Sequence, residues 1–170
     1  MVIKNKTITN DDWTVLRLGE QDTPDGVVVP PGKVIVPLNV WQAQRDALHD
    51  RAELGVWLAS DERAEDLKDD IDQFSVIAVD FPKFADGRGY SIARLLRTRL
   101  GYRGELRAIG DVLRDQMFYM QRVGFDAFAA RTDKDIGDAR RGLSDFTFSY
   151  QASSDERLPL FRRVQRGDGQ

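Results

Sequence analysis

The sequence predicts an α/β fold: a single domain of repeated βα units around a mainly parallel sheet of five or six strands. From residue 34 onward, short apolar runs alternate with amphipathic segments at helical spacing, which is typical of βαβ units. The 170 residues suffice for one substantial core. An open three-layer sheet, with helices on both faces, is the preferred arrangement. An incomplete βα barrel is the alternative, because the helix–glycine–strand junctions at residues 100–102 and 123–125 suit barrels too.

The chain is expected to divide into three parts. Residues 1–33 form an N-terminal extension with weak strands at 14–18 and 27–29 and a short β hairpin. Residues 34–150 form the βα-repeat domain, and residues 151–170 form a frayed C-terminal tail. The Pro-Pro-Gly-Lys stretch at residues 30–33 is strong turn punctuation, so it marks the entry into the domain.

Apolar runs bounded by turn residues predict the strands of the sheet. They cover residues 34–38, 55–59, 76–79, 106–109, 125–130 and, as a sixth strand, 146–150. Helical spacing of apolar residues predicts the segments between the strands. These helices cover residues 41–51, 64–74, 92–100, 113–120 and 136–143. Trp41, Leu48 and Ala52 are expected to share the core face of the first helix, while Gly101 and Gly124 end the third and fourth.

Composition excludes several kinds of chemistry. The chain has no cysteine, which removes disulfides, iron–sulfur clusters, thiol catalysis and Cys-based zinc sites. A single histidine, His49, excludes a multi-histidine metal site. No apolar run has the length of a signal peptide or a membrane span, so a soluble, cytoplasmic protein without a membrane partner is expected.

Charge is distributed unevenly along the chain. Residues 1–80 contain 16 acidic and 8 basic residues, whereas residues 81–122 contain 4 acidic and 9 basic residues. A basic middle in an acidic protein favours a small anion or an acidic partner surface over nucleic acid. The alternative is that these arginines are simply a solvated face.

Ligands of α/β proteins bind beyond the carboxyl ends of the strands, and this rule nominates one edge of the sheet. The residues at or just after predicted strand ends are Asn39, Ser60, Asp61, Asp80, Gly110, Asp111 and Arg131. The loop after the third strand of the repeat adds Lys83, Asp86, Arg88 and Ser91.

The sequence Asp-Gly-Arg-Gly-Tyr-Ser at residues 86–91 joins a strand end to a helix start, where backbone N–H groups favour an anion. Arg88 would clamp the anion with a bidentate fork, supported by Gly87, Gly89, Ser91 and Lys83. In the alternative, the loop is only a tight turn. The two glycines then supply positive φ, and Asp86 or Ser91 caps the helix.

Asp80 and Asp111 follow neighbouring predicted strands, so they are candidates for acid–base catalysis. Each carboxylate could instead cap a helix or pair with Arg88 or Arg114. Because no third ligand accompanies them, no metal site is predicted. Arg114 lies in the first turn of a helix, where an arginine is unfavourable unless it has a partner.

Two blocks of the chain resemble a known family. The first is DFPKFADGRGYSIARLLRTRLGYRGELRAIGDVLRDQMFYMQRVGFDAF, residues 80–128, and the second is PPGKVIVPLNVWQAQRDAL, residues 30–48. Both are similar to a bacterial family of unknown function that is usually labelled "probable oxidoreductase involved in sulfite reduction". The label reflects genes that commonly accompany those of assimilatory sulfite reductase. Many members have a cysteine where this chain has Val123, which implies that no thiol is essential there.

The resemblance implies a role in sulfur assimilation, with sulfite reductase or its electron donor as partner. It also implies a set of motif positions. They are Phe81, Pro82, Phe84, Asp86, Gly87, Arg88, Gly89, Tyr90, Ser91, Arg94, Gly110, Asp111, Arg114, Asp115 and Gln116. No redox motif is visible, although a flavin held by backbone and arginine contacts fits the composition. An accessory protein of sulfite reduction is therefore the first hypothesis. An enzyme with an anionic substrate and an anion-binding module unrelated to sulfur are the alternatives.

Overall fold

A computed structural model describes residues 1–83, 86–129 and 136–144. Eight strands form one mixed sheet in the order β2-β1-β8-β7-β6-β5-β4-β3. The strands are β1 (Val2–Lys4), β2 (Thr7–Thr9), β3 (Thr14–Val15), β4 (Val34–Pro37), β5 (Leu54–Leu58), β6 (Val76–Phe81), β7 (Glu105–Gly110) and β8 (Ala127–Phe128). Strands β3 to β8 are parallel neighbours in chain order, and the β1–β2 hairpin adds to β8 in the antiparallel sense. The mainly parallel α/β domain is confirmed, but the sheet is larger and mixed.

The third and fourth predicted helices are present and slightly longer than expected, whereas the others are shorter or divided. They are α1 (Leu38–Ala43), α2 (Arg45–Leu48), α3 (Arg88–Thr98), α4 (Arg114–Val123) and α5 (Ile136–Arg141). The predicted helix at 64–74 is instead two 3₁₀ turns, Ala64–Leu67 and Ile71–Gln73. Its acidic residues favour turns over helix interiors because their short carboxylates compete for backbone hydrogen bonds.

Several boundary predictions are wrong. The N-terminal hairpin exists but uses β1 and β2, which the hydrophobic pattern did not indicate. Residues 27–29 form no strand, and the predicted strand at 14–18 is reduced to β3. Trp41 and Leu48 are buried as expected, whereas Ala52 is exposed. Gly101 and Gly124 do follow α3 and α4 with positive φ. The predicted strand at 146–150 and the tail at 151–170 lie outside the described residues.

All helices of the described chain pack against one face of the sheet. The main core combines their buried residues with alternate strand residues such as Val56, Val79 and Leu106. Residues of the opposite parity, Ile35, Val76, Ala78 and Ile109, form a separate small cluster without any helical residue. We call that second surface the helix-free face. Right-handed crossovers between strands that follow one another in order must put every helix on the same side. The open three-layer arrangement is therefore wrong, and the sheet curls as in the incomplete-barrel alternative.

This topology positions the candidate site. Because β3 to β8 run in parallel, the loops after β5, β6 and β7 all emerge at the carboxyl edge of the sheet. The turns that precede β7 and β8 lie at the opposite, amino edge, together with the β1–β2 turn.

Candidate functional site

Three side chains join two loops at the carboxyl edge. The Arg88 guanidinium donates from Nε to Asp86 Oδ1 at 3.0 Å and from Nη2 to Asp86 Oδ2 at 2.8 Å. Nη2 also donates to the Ser60 hydroxyl at 3.1 Å, so one guanidinium connects Ser60 and Asp86. Asp86 additionally accepts the backbone N–H of Arg88 at 3.1 Å, which ties the loop to the start of α3. We call Ser60, Asp86 and Arg88 the loop triad.

The loop triad fixes an exposed cation in one orientation. The Asp86 side chain is 11% exposed, whereas that of Arg88 is 63% exposed. The hydrogen bonds from Arg88, together with the nearby Ser60 hydroxyl, hold the pKa of Asp86 well below its usual range, and Asp86 in turn raises the pKa of Arg88. Nε and Nη2 are thereby used, while Nη1 makes no hydrogen bond to any residue that the structure describes. An arginine in this state can present its two Nη1 donors to an oxyanion.

The two glycines of the loop do not supply positive φ. Gly87 has a φ of −74°, and a Cβ there would meet no atom within 4 Å. Gly89 is needed for packing, since a Cβ would lie 2.6 Å from the Phe81 ring. The tight-turn explanation is therefore wrong about positive φ, and Gly89 is required for packing instead. The absence of a side chain at Gly89 lets the first turn of α3 rest on β6.

The other predicted residues of this loop differ in exposure. Lys83 and Ser91 are exposed, so they can add a charge and a hydroxyl to the same edge. Tyr90 is half-buried with its ring edge-to-face on Phe81, 5.6 Å between centroids, and burial raises the pKa of its hydroxyl. Arg94 is exposed one turn further along α3. The motif residue Phe84 lies outside the described residues, as does the strand-end residue Arg131.

Asp80 lies inside β6 rather than after it and is oriented toward the helix-free face. Its carboxylate pairs with Arg17, with Nη2 to Oδ1 at 2.7 Å. Arg17 also stacks on Trp57 at 5.0 Å, and the Trp57 indole donates to Leu16 O at 2.9 Å. Asp80 is therefore ion-paired, as its structural alternative predicted, although with a partner that sequence reasoning missed. Arg17 is 63 residues away along the chain, and no local pattern indicates the pairing.

Gly110 allows the close approach of β6 and β7 at this edge. It has a φ of +89°, and a Cβ there would lie 2.5 Å from Phe81 O and 2.7 Å from Asp80 Oδ1. The next residue, Asp111, donates its backbone N–H to Phe81 O at 2.7 Å. Asp111 follows β7 as predicted, whereas Asp80 is the penultimate residue of β6, and the two strands are directly paired.

Helix α4 begins beside this turn with the predicted residues Arg114, Asp115 and Gln116. Arg114 in the first turn does have an acidic partner, since Nη1 donates to Asp138 Oδ1 of α5 at 3.0 Å. Asp115 is exposed, and Gln116 is partly buried. The sequence predicted the need for a partner but not its identity, because Asp138 lies in a separate helix.

A buried ionic network on the helix-free face was not predicted. Arg107 has a side chain only 2% exposed, and it donates to both Asp11 oxygens at 2.9 and 3.0 Å. It also bonds to Glu105 at 2.8 and 2.7 Å, and Lys4 binds the same carboxylate at 2.6 Å. The period of two along β7 orients Arg107 toward Asp11.

The side-chain donors present in the structure show which metals or cofactors the protein could hold. Within the described ranges, no three acidic or histidine side chains come together as a metal site would require. The loop triad supplies hydrogen-bond donors for an anionic group but no recognisable nucleotide-binding glycine pattern. Within the same ranges, no helix is long and apolar enough to span a membrane.

Fold and site together define a class: a single-domain mixed α/β protein with an oriented, exposed arginine at the carboxyl edge of its sheet. The model of one bacterial family, described as "Bacterial protein of unknown function (DUF934)", matches residues 55–161, and the chain belongs to this family. The match contains the whole block at 80–128, whereas the second resembling block at 30–48 lies outside it. No curated protein and no solved structure matches the chain significantly.

Proposed function

We propose that this protein is an accessory protein of assimilatory sulfite reduction that binds an oxyanion, or the reductase or its electron donor, through the carboxyl edge of the sheet. The observation that carries the proposal is the loop triad, which holds Arg88 exposed with Nη1 available for a carboxylate or sulfur oxyanion. The sulfur pathway itself comes from the resemblance of residues 80–128.

The charge of this edge supports binding. Lys83, Arg88 and Arg94 are exposed around the start of α3, where the positive end of the helix dipole adds to their field. Such a surface attracts an anion or an acidic protein face and speeds their encounter. A planar guanidinium oriented in advance loses less rotamer entropy on binding than a mobile one would.

Growth of a deletion strain tests the pathway. Failure on sulfate and sulfite, with rescue by sulfide or cysteine, is the expected result and supports a role at sulfite reduction. Normal growth on all four sulfur sources would contradict it.

Complementation then tests the site. Arg88→Ala should fail to restore growth, because its Nη1 donors are lost. Arg99→Ala is the matched control, since Arg99 lies just after α3 at the other end of the helix with a side chain 70% exposed. If both variants restored growth equally, the function would not depend on the loop triad. Capture of sulfite reductase by the wild type but not by Arg88→Ala would identify the partner.

The alternative is an enzyme in which Arg88 clamps an anionic substrate and Asp80 or Asp111 transfers a proton. Asp80 is held in one orientation by its ion pair with Arg17. The absorbance spectrum of the purified protein distinguishes a flavoenzyme, which would be yellow, from an accessory protein or a non-redox enzyme.

A further inference from the structure

A pocket of about 450 Å³ lies at the amino edge of the sheet, opposite the loop triad. Its walls come mainly from three turns: the β1–β2 turn, the turn between α3 and β7, and the turn between α4 and β8. Leu143 of the 3₁₀ turn Gly142–Ser144 completes the lining. Its charged and amide-bearing lining residues are Asn5, Lys6, Arg97, Arg103, Gln121 and Asp126. The volume lies within the range of ordinary small-molecule sites, about 300–1,000 Å³.

Positive charge dominates the pocket. Lys6 and Arg103 are both exposed, and neither forms an ion pair within the described ranges. Arg97 donates to three backbone oxygens and to Asp126 Oδ2 at 2.9 Å, which leaves one Nη2 hydrogen without a partner among the described residues. With three basic groups and one carboxylate, the pocket is left with an excess of positive charge for an anion to neutralise.

Lys6 occupies this position against the preference of its backbone. It is the second residue of the two-residue turn between β1 and β2, with a φ of +65° after Asn5 at +48°. Asparagine tolerates such angles, but glycine is the residue that the second position favours. The Asn5 N–H donates to Asp126 O at 2.9 Å, so the turn is fixed against the start of β8. Strain at a non-glycine residue beside a pocket is typical of positions retained for binding.

We propose that this pocket binds a small organic molecule that carries a doubly charged oxyanion, either a phosphate monoester or a dicarboxylate. Lys6 and Arg103 supply the two charges that meet the oxyanion, and Arg97 adds its remaining N–H from a fixed guanidinium. The side-chain amides of Asn5 and Gln121 provide hydrogen bonds to the uncharged part of the ligand. This site is independent of the proposed function, because it lies at the opposite edge of the sheet.

The test is a titration of the ¹⁵N-labelled full-length protein with phenyl phosphate, succinate and, as an uncharged probe, glycerol. We expect saturable shifts for one of the two anions, at the amides of residues 5–6, 101–104 and 124–126, and none with glycerol. Comparison of phenyl phosphate with succinate decides whether the site accepts a phosphate monoester or a dicarboxylate. Absence of saturable shifts with both anions, or shifts centred on residues 86–91, would overturn the proposal.

Two variants make the test specific. Lys6→Gly removes the charge and gives the turn the residue it prefers, so the fold is retained. Combined with Arg103→Ala it should weaken binding at least about tenfold. The control variant Arg63→Ala/Lys68→Ala removes two exposed charges that do not line the pocket and should bind as the wild type does. Equal affinity in the two double variants would refute the site, and so would loss of binding in Arg88→Ala.

Discussion

At the scale of single residues, Arg88 shows how a carboxylate can fix the orientation of an exposed arginine. Asp86 accepts from two of its donor groups, and Ser60 accepts a further hydrogen bond, so the guanidinium plane is held in one orientation. The arrangement depends on Asp86 being charged, because a protonated carboxyl could not accept both bonds equally well. The loop triad is thus sensitive to acid.

Asp86→Asn should alter the pH dependence of stability. The pKa of Asp86 is lowered in the folded protein, so its contribution to stability is present above about pH 4, the usual value for aspartate, and disappears as pH falls through the lower folded pKa. The variant should be less stable than the wild type at pH 7, and the difference should narrow below about pH 4.

Urea unfolding between pH 7 and pH 3 measures this effect. Asp69→Asn is a suitable control, because Asp69 is exposed in a turn and its substitution removes the same charge. A difference between wild type and Asp86→Asn that stays constant over the whole range would show that the Arg88 contact does not depend on the charge of Asp86.

At the scale of secondary structure, the sequence predicted strands β4 to β7 and helices α3 and α4 closely. Their signals are local: apolar runs, helical spacing, and a glycine with positive φ at the end of each helix. The errors fall on elements stabilised by distant contacts. Strands β1 and β2 have only three residues each, too few for a pattern, and they form because β8 offers an edge to pair with.

Gly89 and Gly87 give a matched test of how α3 is seated on the sheet. Gly89→Ala places a Cβ 2.6 Å from the Phe81 ring, so the helix or the ring must move, and we expect a loss of about 1–3 kcal/mol in the free energy of unfolding. Gly87→Ala places its Cβ in open space with a φ that alanine readily adopts. It should be neutral or stabilise by about 0.4–1 kcal/mol.

Chemical denaturation of the two variants decides the point. If both glycines served the loop only as positive-φ turn residues, both substitutions would destabilise to a similar degree. Opposite signs are expected instead, because only Gly89 lies against another side chain.

At the scale of the whole molecule, the location of the candidate site was easier to predict than the ion pairs around it. The rule that ligands bind at the carboxyl edge depends only on strand direction, so it nominated Arg88, Asp86 and Ser60 correctly as neighbours at one edge. Which charges pair was not predictable, since Arg17–Asp80, Arg107–Asp11 and Arg114–Asp138 each join different elements. The amino-edge pocket was missed because its lining comes from three turns that are far apart in sequence.

The buried network around Arg107 gives the last prediction, which concerns how the N-terminal segment is held on the sheet. Arg107 connects β7 to Asp11, 96 residues away, on the helix-free face. Arg107→Met leaves the carboxylates of Asp11 and Glu105 without their common partner, and breaking a buried ion pair in this way costs about 3–5 kcal/mol. Asp11→Leu/Glu105→Leu/Arg107→Met removes Arg107 with both of its acidic partners and leaves only Lys4, whose side chain is 45% exposed. It should recover much of that loss, because apolar side chains of similar size replace buried ion pairs at little cost. Guanidinium unfolding curves of both variants, with Lys33→Met as an exposed ion-pair control, measure the difference. A triple variant no more stable than the single one would mean that Asp11 and Glu105 stabilise the sheet independently of Arg107.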